Sequence, residues 1–237
     1  MNAPPDSGSP PDTTAEFDVL DRLLQRRHSC RGFLPRPVPR QVIERILTTA
    51  QRTASWCNAQ PWQVHIVSGE TLEALRIELP AGARSGKPAA PEVDWPREYR
   101  GIYLTRRREC GWNLYRATGV QKGDREGAAR QALENFTFFG APHVAIVSSD
   151  EALGTHGVMD TGAWVSNFML AAAALGVASI AQAALASYPD ILREHLGIAA
   201  DRRIVCGISF GFEDTHHPAN GFRTSRAPLD EAVRWTG

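Results

Sequence analysis

Apolar residues first recur at helical spacing from Glu16 to Arg27, where Phe17, Leu20, Leu23 and Leu24 share one face. A charged stretch punctuated by Gly and Pro, Arg26 to Pro39, then reads as a loop. Pro39 suits a first helical turn, and Val42, Ile43, Ile46 and Leu47 carry an amphipathic helix to about Ala54. From Trp62 to Ser68 the pattern changes to alternation, with Val64 and Ile66 on one side, and predicts a strand; Glu70 to Leu79 predicts a short helix. Further strands are expected at His143 to Ser149, Val177 to Ala181 and Arg203 to Phe212, with helices at Gly157 to Leu175 and Pro189 to Leu196. Few strands, separated irregularly by helices of unequal length, predict an α+β layer fold and not a regular βαβ array.

Between the first strand and the second the character of the chain shifts. Pro80 to Pro96 holds Gly82, Gly86, Lys87, Pro88 and Pro91 with few large apolar groups, and reads as a loop opening an insertion over about residues 80–140. The insertion continues through Tyr99, Tyr103, Arg106 to Arg108, Trp112 and Tyr115 to a helical stretch near Ala128 to Phe139. Its aromatic and arginine content suits either a cover over a ligand or a solvated basic helix. Residues 1–15, rich in Pro, Ser and Asp, have neither a basic start nor an apolar run, so a disordered leader is expected there and a single domain over 16–237.

One segment meets the length criterion for a membrane span: Thr161 to Pro189 carries no charge. Its centre, Ala171 to Ala174, is flanked by Gly162, Ser166, Asn167, Gly176, Ser179 and Gln182, which gain little from lipid. A buried helix followed by a strand fits better, and a helix with small residues all round is one packed on several sides. Neither a membrane nor a nucleic-acid partner is expected. The 26 basic and 26 acidic side chains of the 237 residues balance, so no bulk charge draws the chain to a polyanion. Only Lys87 and Lys122 are lysines; the other basic residues are arginines, so an anion site here is built from planar, bidentate guanidinium groups. Four cysteines, Cys30, Cys57, Cys110 and Cys206, form no C-x-x-C pair, which fits a reducing cytoplasm and no zinc knuckle. His216-His217 is an adjacent pair and not an i,i+4 one, and His143, His156 and His195 read as scattered structural or surface histidines, so no metal site is expected.

Three segments carry chemistry. In Arg26-Arg27-His28-Ser29-Cys30-Arg31 two guanidinium groups four residues apart flank a hydroxyl, a set able to converge on phosphate from a bent loop; read alone, the segment is equally a solvated basic loop between helices. In Ser55-Trp56-Cys57-Asn58-Ala59-Gln60-Pro61-Trp62, Asn58 and Gln60 offer amide donors and acceptors, and Pro61 is expected to hold Gln60 extended. Read without a ligand, the same turn is a helix stop with a buried tryptophan anchor. In the third segment, Asn220 to Asp230, Arg223 and Arg226 complete an anion site with Arg27 and Arg31 only if the two ends of the chain meet. No G-x-G-x-x-G or Walker A loop is present, and Gly207 and Gly211 read as close packing in a strand.

Taken in order, these segments resemble the flavin-dependent nitroreductase family. The matches are R-H-S-C-R at Arg27 to Arg31, S-W-C-N-A-Q-P-W at Ser55 to Trp62, F-G-A-P at Phe139 to Pro142, G-V-A-S-I-A-Q-A-A at Gly176 to Ala184 and R-A-P-L-D at Arg226 to Asp230. The chain departs from the family at His28, where a second arginine is common, and at Ala54, where proline is. The resemblance implies a three-layer α/β/α sandwich around a mixed, mostly antiparallel sheet, in a homodimer with FMN at the interface. It assigns the phosphate and ribityl chain to Arg27, Ser29, Arg31 and Arg226, with His28 beside them. It places Asn58 and Gln60 on the pyrimidine side of the ring, Ser55 and Trp56 from the partner subunit, and Gln182 and Ala183 near flavin N5. The implied activity is reduction of nitroaromatic or quinone-like acceptors by NADH or NADPH in a ping-pong sequence, with no acid-base triad because the flavin carries the chemistry. A dehalogenase or dehydrogenase on the same scaffold, or a protein that holds FMN without turnover, uses the same contacts and stays open at this point.

Overall fold

The computed structural model describes residues 13–237. The leader expected over residues 1–15 lies outside that range up to residue 12, and Thr13 to Ala15 already belong to the first helix, α1, Thr13–Arg26. After α2, Arg40–Ala50, come strand β1, Trp62–Val67, and α3, Gly69–Arg84. The insertion holds α4, Gly101–Ala117, and α5, Arg125–Leu133. The rest of the order is β2, His143–Asp150; α6, Gly154–Ala174; β3, Ala178–Gln182; α7, Pro189–Leu196; β4, Arg202–Gly211; and a single turn, α8, Leu229–Ala232.

The four strands form one sheet in the order β1-β2-β4-β3, every ladder antiparallel. The parallel contribution is a bridge between Ser29 and Ser179 at the outer edge of β3. Both faces of the sheet are covered. On one face Val67, Val144, Ile146, Ile180 and Ile204 pack against Leu72, Leu75 and Leu79 of α3 and Leu192 of α7. On the other, Trp62, Ala145, Val147, Ile208 and Phe210 pack against Ile43 and Ile46 of α2 and Trp164, Val165 and Phe168 of α6. These are the three layers expected. They explain why β2, buried at seven of its eight positions, reads as a continuous apolar run and not as an alternating one.

A bulge in β4 reconciles its sequence with both faces. Val147 faces Cys206 but Ser148 faces Ile204, so Val205 is an extra residue. Ile204 and Cys206, two apart, would share a face in a regular strand; across the bulge they enter opposite cores. Gly207 follows because the strand there lies hard against Leu185, whose Cδ1 is 2.3 Å from where a Cβ would stand.

Two local expectations are corrected. The loop expected from Pro80 begins later, because α3 continues through Pro80 to Arg84, with Leu79 and Pro80 buried. And α1, amphipathic in sequence, buries none of its residues: Phe17 is 65% exposed, Leu20 47% and Leu24 51%. Among the described residues no helix is long and apolar enough to cross a membrane, so the uncharged run from Thr161 resolves into α6 and β3 as expected.

Candidate functional site

The loop after α1 and the C-terminal segment do meet. The loop after α1 runs along the free edge of β3, where Cys30 N donates to Ser179 O at 3.2 Å, and then beside β4, where Leu34 N donates to Phe212 O at 2.8 Å. The C-terminal segment crosses over it. Arg27, His28, Ser29 and Arg31 from the first end, and Phe222, Arg223, Thr224 and Arg226 from the other, line one cavity of about 210 Å³ together with Gln25 and Cys110 of α4. Among the described residues no carboxylate makes an ion pair with Arg27, Arg31 or Arg226. Burial, with the Arg226 charge second, lowers the Arg27 pKa, and burial lowers that of Arg31. Guanidinium groups gathered without a counter-charge favour a bound anion, and the forked donors with the Ser29 hydroxyl suit a phosphate.

His28 sits at this cavity in a different way. Its Nε2 lies 3.0 Å from Glu213 Oε1 and its Nδ1 3.2 Å from Arg26 O, so both ring nitrogens face protein oxygens. Cys30, between the arginines, is not an activated thiol: it is fully buried, donates to Gly32 O at 3.2 Å, and burial pushes it up to about 12. The Arg26 guanidinium turns away to Ala173 O at the carbonyl end of α6, a position the helix dipole favours for a cation.

From Ser179, β3 climbs three residues, about 10 Å, to Gln182. Its outer edge is lined by small side chains, and Ala181 and Ala183 are exposed there. Gln182 itself is 3% exposed and its amide is fully engaged: Oε1 accepts from Ser209 Oγ at 2.5 Å, and Nε2 donates to Asn135 O at 3.0 Å and Oδ1 at 3.2 Å. Its side chain therefore ties the strand end to the insertion, and Ala183 is what this end presents outward. The insertion returns to the sheet through Phe138 and Phe139, buried aromatics with φ of 59° and 52°, a conformation bulky residues rarely adopt. Arg76 holds that return, donating to Thr137 O and, at 3.0 Å, to Ala141 O.

Ser55, Trp56, Asn58 and Gln60 lie elsewhere. Their turn leads into β1 at Trp62, which pairs with Ser149 at the far end of β2, while Ser179 pairs with Phe210 and Phe210 with His143 at the near end. Six residues along β2 and three strand spacings across the sheet separate the turn from the arginine cavity by about 25 Å. Cys57, Asn58 and Gln60 have φ of 49°, 55° and 47°, so Gln60 is left-handed and not extended as Pro61 suggested. Local hydrogen bonds outweigh the proline's preference: Gln60 N donates to Ser55 Oγ at 2.9 Å, and Gln60 Nε2 to Asn58 Oδ1 at 3.2 Å. Of the two tryptophans here, Trp62 is the buried anchor, donating to Gln51 Oε1 at 2.7 Å, whereas Trp56 is 65% exposed beside His156 of α6.

Sequence reasoning missed Asn135 and Ser209 as parts of this region, and gave Asn220, the first residue of the C-terminal segment, no role of its own. Asn220 is 4% exposed and bridges the arginine loop to the C-terminal segment. Its one signal was a lone amide before Gly221 in a segment rich in arginine.

A small-residue strand edge with guanidinium groups gathered at its foot, on a three-layer α+β scaffold, is an arrangement suited to a phosphate-bearing ligand. Residues 24–212 match the family model for the nitroreductase family, and the chain belongs to that family. It is 33% identical to the nitroreductase NfnB of Mycolicibacterium smegmatis, covering 92% of this chain and 93% of that protein. With the 4-nitrobenzoate reductase of Pseudomonas putida it shares 31% identity over 88% of this chain and 92% of the other. The crystal structure of the FMN-dependent nitroreductase NfnB from Mycobacterium smegmatis in complex with NADPH superposes with a TM-score of 0.89 at 30% identity, covering 94% of this chain and all of that one.

Proposed function

We propose that this chain is an FMN-dependent oxidoreductase that uses NADPH or NADH to reduce nitroaromatic or similarly electron-poor, quinone-like compounds, as a cytoplasmic homodimer. The observation that carries the reading is the convergence of Arg27, Ser29, Arg31 and Arg226 from opposite ends of the chain on one cavity without a counter-carboxylate. The donor set fits the phosphate of FMN, and the β3 edge above it fits the rest of the cofactor. Held by these residues, the flavin would supply the hydride-transfer chemistry between nicotinamide and acceptor. The residues of the chain bind and orient. Arg27, Arg31 and Arg226 neutralise the phosphate, and Ser29 offers it a hydroxyl. Ala181 and Ala183 leave room for a flat ring against the strand, and Gln182, fixed by Ser209 and Asn135, keeps that edge in place. His28, held by Glu213, shapes the wall of the cavity.

A homodimer follows from what one chain leaves undone. The turn of Ser55, Trp56, Asn58 and Gln60 stands about 25 Å from the arginines, farther apart than the two ends of one flavin mononucleotide. All four residues therefore serve the cofactor of the partner. The uncharged outward face of α6, with Met159, Gly162, Ala163, Ser166 and Asn167, and the exposed leucines of α1 supply the surface that brings the partner in. The insertion over about 80–140, with Tyr99, Tyr103 and the arginines of α4, caps the acceptor. Arg107 lies over the Tyr99 ring at 5.1 Å, an arrangement suited to an aromatic acid, and two relatives are named for reducing 4-nitrobenzoate.

Anaerobic titration of the FMN-loaded protein with NADPH, then with 4-nitrobenzoate, tests the reading. Flavin absorbance should bleach with the nucleotide and return with the acceptor. A purified protein that binds no added FMN overturns the reading, and one that holds FMN but stays yellow with both nucleotides is a binder and not an enzyme.

A further inference from the structure

The arginine cavity depends on two chain segments 189 residues apart in sequence, Arg31 and Asn220, and one buried side chain joins them. Asn220 Oδ1 accepts from Arg31 N at 2.7 Å, and its Nδ2 donates to Gly32 O and to Asp214 O, both at 2.9 Å. One acceptor and two donors at fixed angles are what an amide provides and a carboxylate or hydroxyl does not. The loop on the other side is held by β3 through Cys30 N and Ser179 O. No slack remains between the two segments: a Cβ on Gly32 would lie 2.2 Å from His217 Cγ. The backbone of Asn220 continues the same task, since its carbonyl accepts from Arg223 Nη1 at 2.8 Å, and Arg223 lines the cavity three residues before Arg226.

We infer that Asn220 is a positioning residue for cofactor retention: it touches no ligand, but it sets the Arg31 backbone and the Arg223–Arg226 segment so that their guanidinium groups meet on one phosphate. The inference rests on the proposed FMN site and makes a narrower claim than that proposal. If Asn220 acts through the phosphate cradle, its loss must weaken a flavin that carries a phosphate and spare one that does not.

The test compares FMN with riboflavin, which has the same ring and ribityl chain without phosphate, by quenching of flavin fluorescence on the full-length protein, with circular dichroism and thermal melting as checks of folding. Wild type should prefer FMN. In Asn220→Ala the FMN Kd should rise about tenfold or more, because misplaced charged contacts are lost, while the riboflavin Kd changes less than about twofold. Should Asn220→Ala fail to fold, Asn220→Ser, which keeps a small polar group, is read in the same way. If wild type holds riboflavin as tightly as FMN, the phosphate site itself is wrongly placed. If wild type prefers FMN and the variant keeps the same ratio, whether both affinities fall together or neither moves, the site stands and the positioning role of Asn220 is overturned.

Discussion

The two ends of the sheet treat their functional residues in opposite ways. At the β3 end the arginine loop is stitched down: Cys30 to Ser179, Leu34 to Phe212, and Arg31 and Gly32 to Asn220, around a cavity closed by the chain's own C-terminal segment. At the β1 end the turn from Ser55 to Gln60 faces outward, with three left-handed residues, an amide pair bonded to itself and a tryptophan 65% exposed. The left-handed residues there are held by local bonds such as Gln60 N to Ser55 Oγ, with little packed around them. On the proposed reading the difference has a simple meaning: a chain completes one half of a site alone and displays the other half for a second copy, received on the uncharged face of α6 beside Trp56.

The largest effect should come from the closed end. Arg27→Ala with Arg226→Ala removes two charged contacts and should weaken FMN about a hundredfold or more, read by equilibrium dialysis; full occupancy in the double variant would move the phosphate elsewhere. A smaller loss is expected from the surface that joins the ends. Ser166→Arg places an unpaired charge on the small-residue face of α6 and should give a monomer on size-exclusion chromatography. Its FMN affinity should fall about tenfold, since the arginines stay and only the turn is lost. An unchanged dimer would remove α6 from the interface. The smallest effect belongs to one group on the open end: Asn58→Ala should cost about one neutral hydrogen bond, roughly fivefold in FMN affinity, with dimerisation intact.

The same contrast governs how much was legible in the sequence. The helices and strands around the two cores followed from periodicity, because each buries a face against the sheet. The arginine loop was legible as chemistry, since R-H-S-C-R concentrates donors in five residues; Arg226 joined it only through the family resemblance, because spacing cannot show the crossing of the C-terminal segment that brings it and Asn220 close. Helix α4 left no clear signature because it buries none of its residues in this chain, so no apolar stripe was required. The left-handed Gln60, Phe138 and Phe139 contradict local preference and are stabilised by partners that spacing does not show, Ser55 for the first and Arg76 for the segment holding the other two. The engagement of Gln182 with Asn135 was hidden for the same reason: 47 residues separate the two.

The central claim, that each cofactor site takes its arginines from one chain and its turn from the other, is tested most directly by complementation. One chain carries Arg27→Ala and Arg226→Ala; the other carries Trp56→Ala, Asn58→Ala and Gln60→Ala. With different affinity tags, the mixed dimer can be purified after co-expression and its flavin content measured against both parent homodimers at the same limiting FMN concentration. A shared site leaves one intact copy in the mixed dimer, with about one FMN per dimer where both parents are nearly empty. A mixed dimer as empty as its parents would show that arginines and turn must come from the same chain, and would contradict the account.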